Sequence, residues 1–196
     1  MKYLLLVSAA AVLAACGNTD GDAIVDSATE TMTMEQSGGQ VPGLMTRSFA
    51  VMNTSGFEIG QVTIADQAAG GVTLDLDVTA IPAGAHAIHF HTNGACDLPD
   101  FTSSGGHYNP MDANHGFDAS APNPHAGDMP NFNAPDSGVV KTTIKNERVS
   151  LSIRDGYAPL FDADNTALII HAGSDDYKTQ PTGAAGGRIA CAVIAQ

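Results

Sequence analysis

The stretch Gly84-Ala85-His86-Ala87-Ile88-His89-Phe90-His91 sets the fold and the chemistry together. In an extended chain alternate side chains share a face, so His89 and His91 project together while Ile88 and Phe90 turn the other way, into a core. Two neutral nitrogen donors are thereby aimed at one point. Working outward, the same period of two recurs. Val72, Leu74, Leu76 and Val78 alternate with Thr73, Asp75, Asp77 and Thr79, the pattern of a strand with one dry and one wet face, and Val62/Ile64 and Val149/Leu151/Ile153 repeat it. Further extended runs cover Ser48–Asn53, His86–Thr92, Val139–Lys145, Ala167–His171 and Arg188–Ile194, which makes about eight strands. Turn residues separate them at Asn53-Thr54-Ser55-Gly56, Ala69-Gly70-Gly71, Pro82-Ala83-Gly84 and Asp155-Gly156. No long segment carries a helical stripe. The pattern predicts an all-β antiparallel sandwich or flattened barrel.

One connection breaks the regular spacing. Asn93–Gly138 is rich in Gly, Pro and Asn and is too long to be an idle link within a compact domain. It contains His107, His115, His125, Asp128 and Cys96, so a bound metal and a disulfide can supply the order that an apolar core does not. Imidazole suits copper and zinc, whereas magnesium and calcium favour oxygen-rich sites, and this set has a single obvious carboxylate ligand. Six histidines and one aspartate are enough for two ions held close together. His-x-His alone is a weak signal, and His107 or His115 alone could equally be a surface or a satisfied core histidine.

Taken in order, the set is far more specific. It runs through His89 and His91, Gly106-His107-Tyr108-Asn109-Pro110, Asn114-His115-Gly116, Pro124-His125-Ala126-Gly127-Asp128, Ile170-His171-Ala172 and Arg188-Ile189-Ala190-Cys191. This arrangement resembles the copper-zinc superoxide dismutase family from about Arg47 to the end of the chain. The resemblance implies an eight-stranded Greek-key β-barrel, with copper held by His89, His91, His107 and His171 and zinc by His107, His115, His125 and Asp128. An imidazole shared by two ions at ordinary metal–nitrogen distances would hold them roughly 6 Å apart. Asp175 would accept hydrogen bonds from the outer nitrogens of His89 and His115, whereas Asp176 reads as a solvated turn residue. His86 matches a histidine that braces backbone loops and is not a ligand. The implied activity is dismutation of superoxide to oxygen and hydrogen peroxide, with His107 gaining and releasing a proton. Arg188 would draw in the anion, since its fork of donors stays charged and an acidic protein needs a local positive funnel. Lys178 could add to that funnel, although segment 177–187 departs from some members of the family. The rival reading is a non-catalytic copper or zinc buffer on the same barrel, which loss of a copper ligand or of Arg188 would favour; the chain retains all of them.

The remaining features concern export. Of 196 residues, 8 are basic and 21 acidic, a formal charge of −13 that makes nucleic acid and acidic lipid poor partners. Lys2 and the apolar run from Tyr3 to Ala15 read as a secretory signal over residues 1–15, too short to span a membrane. Leu13-Ala14-Ala15-Cys16 looks like a lipoprotein processing site, which would make Cys16 the lipidated N-terminus of an envelope or periplasmic protein; Gly17 fits sorting to the outer membrane. Cys96 and Cys191 then remain as an even pair suited to an oxidising compartment, and a bridge between them would contribute at most about 4–5 kcal/mol in the chain-entropy picture. Residues 16–46 read as a flexible acidic linker with a reach of roughly 30 Å. Its Met32 and Met34 are linker composition first and a Cu(I) catch second. The expected domain occupies residues 47–196, as a monomer or a homodimer.

Overall fold

The computed structural model describes residues 43–116 and 123–196. The expected signal segment, Cys16, Met32 and Met34 and the expected linker up to residue 42 lie outside the described residues. Strands β1 (Thr46–Asn53), β2 (Glu58–Asp66) and β3 (Val72–Val78) form a meander, with Met45 packed against the core just ahead of it. Asn53 shapes the first turn, its Oδ1 accepting from the N–H groups of Ser55 and Phe57 at 3.0 Å each. The predicted alternation in β3 holds: Val72, Leu74, Leu76 and Val78 are buried, whereas Asp75 and Asp77 face solvent. Next come β4 (Gly84–His86) and β5 (Ile88–His91), then β6 (Phe132–Ala134), β7 (Val140–Asn146), β8 (Val149–Ser150) and β9 (Ala158–Pro159). The chain closes with β10 (Thr166–His171) and β11 (Arg188–Ile194).

The main sheet has seven strands in the order β5-β10-β11-β1-β2-β3-β7, all paired antiparallel. Its two ends are brought round by the β4–β6 pair, because β4 runs on into β5 and β6 packs beside β7. The result is a curled all-β fold whose interior holds Val62, Ile64, Leu74, Leu76, Ile88, Phe90, Leu168 and Ile170. Among the described residues there is no α-helix, only a short 3-10 turn at Thr102–Ser104.

Three details depart from the sequence reading. The single extended run expected over His86–Thr92 divides at Ala87, whose N–H donates to Gly173 O at 2.8 Å and whose carbonyl accepts from His171 N–H at 2.9 Å. The chain there changes partners, from β6 to β10. The alternation expected through Ile153 stops at Ser150, and Ile153 is 89% exposed because the chain turns out at Arg154–Tyr157. Finally, the long connection contains β6, which is too short to show a period, although Phe132 and Ala134 are buried and Asn133 is exposed.

Cys96 and Cys191 form the expected disulfide, with Cα atoms 5.8 Å apart. Beneath it Phe101, Ala167, Ile169 and Cys191 make a second small core on the outer side of β10 and β11. The bridge and this cluster fix the first part of the long connection to the last two strands.

Candidate metal centre

β5 is buried on both faces, with Ile88 and Phe90 in the core and His89 and His91 on the opposite side. On one edge it pairs with β10, and on the other the long connection completes the ladder: His89 lies opposite Asp128 and His91 opposite His107. Phe90 N–H donates to Gly127 O at 3.0 Å and Phe90 O accepts from Tyr108 N–H at 2.8 Å. Gly127 is required at this approach, since a Cβ there would lie 2.4 Å from Phe90 O. Four prospective ligands are thus placed by sheet registration. His171 joins them at the end of β10, just past a register shift that sets it opposite Arg188.

Two groups of donors result. His89, His91, His107 and His171 form one, and His107, His115, His125 and Asp128 the other, with the ligand atoms of each within 4.8 Å of one another and all seven residues buried. His107 belongs to both; its ring centroid is 4.0 Å from that of His89, 5.1 Å from those of His91 and His115, and 5.5 Å from that of His125.

Hydrogen bonds at the outer nitrogens decide which atom of each ring faces inward. Asp175 bridges the groups, with Oδ2 2.8 Å from His89 Nε2 and Oδ1 2.9 Å from His115 Nε2. His91 Nδ1 is 3.0 Å from Gly105 O, and His171 Nδ1 is 3.2 Å from Gly186 O, which leaves their Nε2 atoms facing each other at 3.3 Å. His107 Nδ1 lies 2.9 Å from Asp128 Oδ1, leaving Nε2 for the four-histidine group. His89 Nδ1 and His107 Nε2 are buried without a hydrogen-bond partner among the described residues, and His115 Nδ1 and His125 Nδ1 meet only the Asp128 carboxylate, at 3.0 and 3.3 Å. A buried polar atom without a partner is costly, and imidazole nitrogens converging on one another and on a carboxylate fit metal ions as their partners. The first donor set is all imidazole, which suits copper; the second, three imidazoles and a carboxylate, suits tetrahedral zinc.

The electrostatics separate the two groups. Burial, joined by the charges of neighbouring histidines, pushes His107 down to about 4 and His171 down to about 3, and it lowers His91 as well. Arg188 adds to the effect on His91 and His171. These rings are therefore neutral, as ligands must be, across the physiological range. His115 moves the other way: burial opposes its protonation, but the carboxylates of Asp128 and Asp175 outweigh burial and push it up to about 9. Both carboxylates are held well below the usual range against the opposing effect of burial, Asp128 by His107, His115 and His125, and Asp175 by His115, His89 and Tyr177 N–H. Zinc entering this group must displace the His115 proton at any pH below about 9. Zinc affinity is accordingly expected to rise by up to about tenfold per pH unit and to level off above that point. Chelator competition from pH 6 to pH 10 measures this, and a flat profile would show that His115 carries no proton for zinc to displace over that range.

His86 stands apart, as expected, with Nδ1 2.7 Å from His171 O and Nε2 2.7 Å from Pro82 O. Arg188 opens β11 opposite His171, and it grips the segment whose Gly105 O also meets His91 Nδ1. Its Nη1 donates to Phe101 O at 2.5 Å and Ser104 Oγ at 2.9 Å, and its Nη2 to Gly105 O at 2.7 Å. One Nη2 hydrogen and the Nε–H remain without a partner among the described residues. Lys178 is exposed, and among the described residues no bond of its ammonium ties it to the site.

Several positioning residues were not singled out from the sequence. Asn131 clasps the backbone of Asp175, donating from Nδ2 to its carbonyl and accepting its N–H at Oδ1, each at 2.9 Å. Gln180 does the same for His115, with both bonds at 2.8 Å. Gly183 leaves room for Asp175, whose Oδ1 a Cβ would approach to 1.8 Å. Such contacts join residues distant in sequence, and no periodicity announces them.

Residues 58–194 match the sequence profile described as Copper/zinc superoxide dismutase (SODC). The chain belongs to this family. It is 42% identical to superoxide dismutase [Cu-Zn] 1 of Aquifex aeolicus (strain VF5) over 145 residues, which span 74% of this chain and 84% of that one. It is 41% identical to superoxide dismutase [Cu-Zn] of Caulobacter vibrioides over 143 residues, 71% of this chain and 79% of that one. Among solved structures, a SOD-like protein from Bacillus subtilis superimposes with a TM-score of 0.69 at 32% identity, covering 74% of this chain and 97% of that one. The protein is thus an enzyme with copper and zinc as its metals, and it dismutes superoxide to oxygen and hydrogen peroxide. The metal-buffer alternative is not favoured.

Proposed function

We propose that copper sits among His89, His91, His107 and His171, that zinc sits among His107, His115, His125 and Asp128, and that Arg188 receives the superoxide. The observation that carries this assignment is His107, which belongs to both donor groups and directs Nδ1 toward Asp128 while leaving Nε2 for the other three histidines. Copper supplies one-electron chemistry when bound, and zinc supplies charge and order. The residues do the rest. Asp175 keeps the outer N–H of His89 and of His115 in place, so both rings hold one tautomer. His107 Nε2 is the atom that holds a proton between the two half-reactions and gives it up toward peroxide. Arg188, fixed by three bonds to 101–105, offers its remaining N–H groups to a small anion.

Arg188→Ala is expected to lower kcat/KM by about tenfold or more and to flatten its dependence on ionic strength, with both metals retained. Stopped-flow superoxide decay against salt concentration reads both effects; an unchanged rate–salt profile would remove Arg188 from substrate capture.

We further propose an exported lipoprotein, anchored through Cys16 with residues 16–46 as tether and residues 47–196 as the catalytic domain, and residing in the bacterial periplasm or cell envelope with the outer membrane as its site. The support is the processing motif at Leu13-Ala14-Ala15-Cys16 and the Cys96–Cys191 disulfide, a bond that persists in oxidising compartments. Cys16→Ser is expected to move the protein from the detergent phase to the aqueous phase of a cell-envelope extract. Equal partitioning of both forms would sink the anchor.

A further inference from the structure

The segment His125–Asp128 supplies two donors to the zinc group, and each of its four carbonyls is taken by a donor from the barrel. Gly127 O accepts from Phe90 N–H at 3.0 Å. Ala126 O accepts from Asn146 Nδ2 at 2.8 Å, and Asn146 is buried at the end of β7. His125 O accepts from Arg148 Nε at 3.1 Å, and Asp128 O accepts from Nη2 of the same guanidinium. Arg148 is in turn set by its own N–H, which donates to Asn146 Oδ1 at 2.8 Å. It lies in the tight turn between β7 and β8, so its backbone belongs to the barrel rather than to the loop it grips.

One rigid, planar side chain therefore spans the backbones of the two ligand-bearing residues in this segment. Its fork fixes the separation of the His125 and Asp128 carbonyls, and through them the point at which His125 Nδ1 and the Asp128 carboxylate converge, 3.3 Å apart. A lysine reaches with a single nitrogen and cannot hold both carbonyls in the same way. The guanidinium's bonds to His125 O and Asp128 O lie behind the ligand atoms, on the backbone carbonyls of the two residues.

We infer that Arg148 is a positioning residue for zinc: it sets the spacing of His125 and Asp128 and thereby the affinity and geometry of the zinc group. The inference rests on the zinc assignment made above. Partners that only support a metal ligand cost about 10–100-fold in affinity when removed, and Arg148→Met is expected to fall in that range. Arg148→Lys, which keeps the charge on a single donor nitrogen, should fall between Arg148→Met and wild type.

The test titrates zinc into the full protein against a chromophoric chelator and records the visible absorption of cobalt(II) at saturation. A shifted cobalt spectrum in Arg148→Met, together with weakened zinc binding, supports the inference, because the spectrum reads the geometry of the filled site. Weakened stability with an unshifted spectrum at saturation would mean that Arg148 serves the fold alone, and it would overturn the inference. Wild-type zinc affinity in Arg148→Met would overturn it as well. Should Arg148→Met fail to fold, Arg148→Lys decides: wild-type affinity and spectrum refute the role, and a reduced affinity with a shifted spectrum supports it. If the wild-type protein itself takes no zinc at this group, the metal assignment fails rather than the role of Arg148.

Discussion

His171→Ala is expected to abolish superoxide turnover while leaving the barrel folded. His171 is one of only four donors in the all-imidazole group, and its Nδ1 is already committed to Gly186 O at 3.2 Å. Nothing else in the group can replace its Nε2. Since removing a residue that merely supports a ligand costs about 10–100-fold in metal affinity, losing the ligand itself should cost more than about 100-fold. The fold should survive because the backbone bond from His171 N–H to Ala87 O, at 2.9 Å, does not need the imidazole. The packing of Leu168 and Ile170 in the core is likewise untouched. Metal analysis and a superoxide-decay assay on the same sample check this. Activity at the wild-type level would refute the placement of copper.

Stripping both metals with a chelator should lower Tm by about 20 °C. Each ion at a free concentration 1,000-fold above its Kd stabilises the folded form by about 4 kcal/mol, and for a domain of this size each kcal/mol moves Tm by about 2–4 °C. The effect is large because the ligands close the connection 93–138, which has little apolar core of its own. Without ions His89 Nδ1 and His107 Nε2 are buried with no hydrogen-bond partner among the described residues, and His115 and His125 crowd onto the single Asp128 carboxylate. Differential scanning calorimetry with and without added zinc and copper measures the shift; a Tm within a few degrees of the metal-loaded value would show that the disulfide and the Phe101 cluster suffice.

The sequence carried the donor set and the longer strands more fully than the joints between them. His89 and His91 were legible because a period of two leaves no choice of face once Ile88 and Phe90 enter the core. Cys96 and Cys191 were legible as an even pair. The break at Ala87 was not, because partner exchange is a property of the neighbouring strands and leaves no mark on the residue itself. Nor was the end of β8: Ile153 fits the alternation yet stands in solvent, since the turn at Arg154–Tyr157 takes the chain out of the sheet. Arg148 was hidden for a third reason. Its carbonyl partners lie 20 and 23 residues away, and one of only eight basic residues in an acidic chain reads first as a solubilising charge.

The outer edge of β5 has one further consequence. A terminal strand ordinarily offers a row of free amide and carbonyl groups on which another polypeptide can dock and extend the sheet. Here that row is occupied by Gly106, Tyr108 and Gly127, the backbone neighbours of the ligands. Anything that keeps the imidazoles gathered also keeps this rim closed, so cofactor retention and resistance to edge-on self-association are one property of the same few residues.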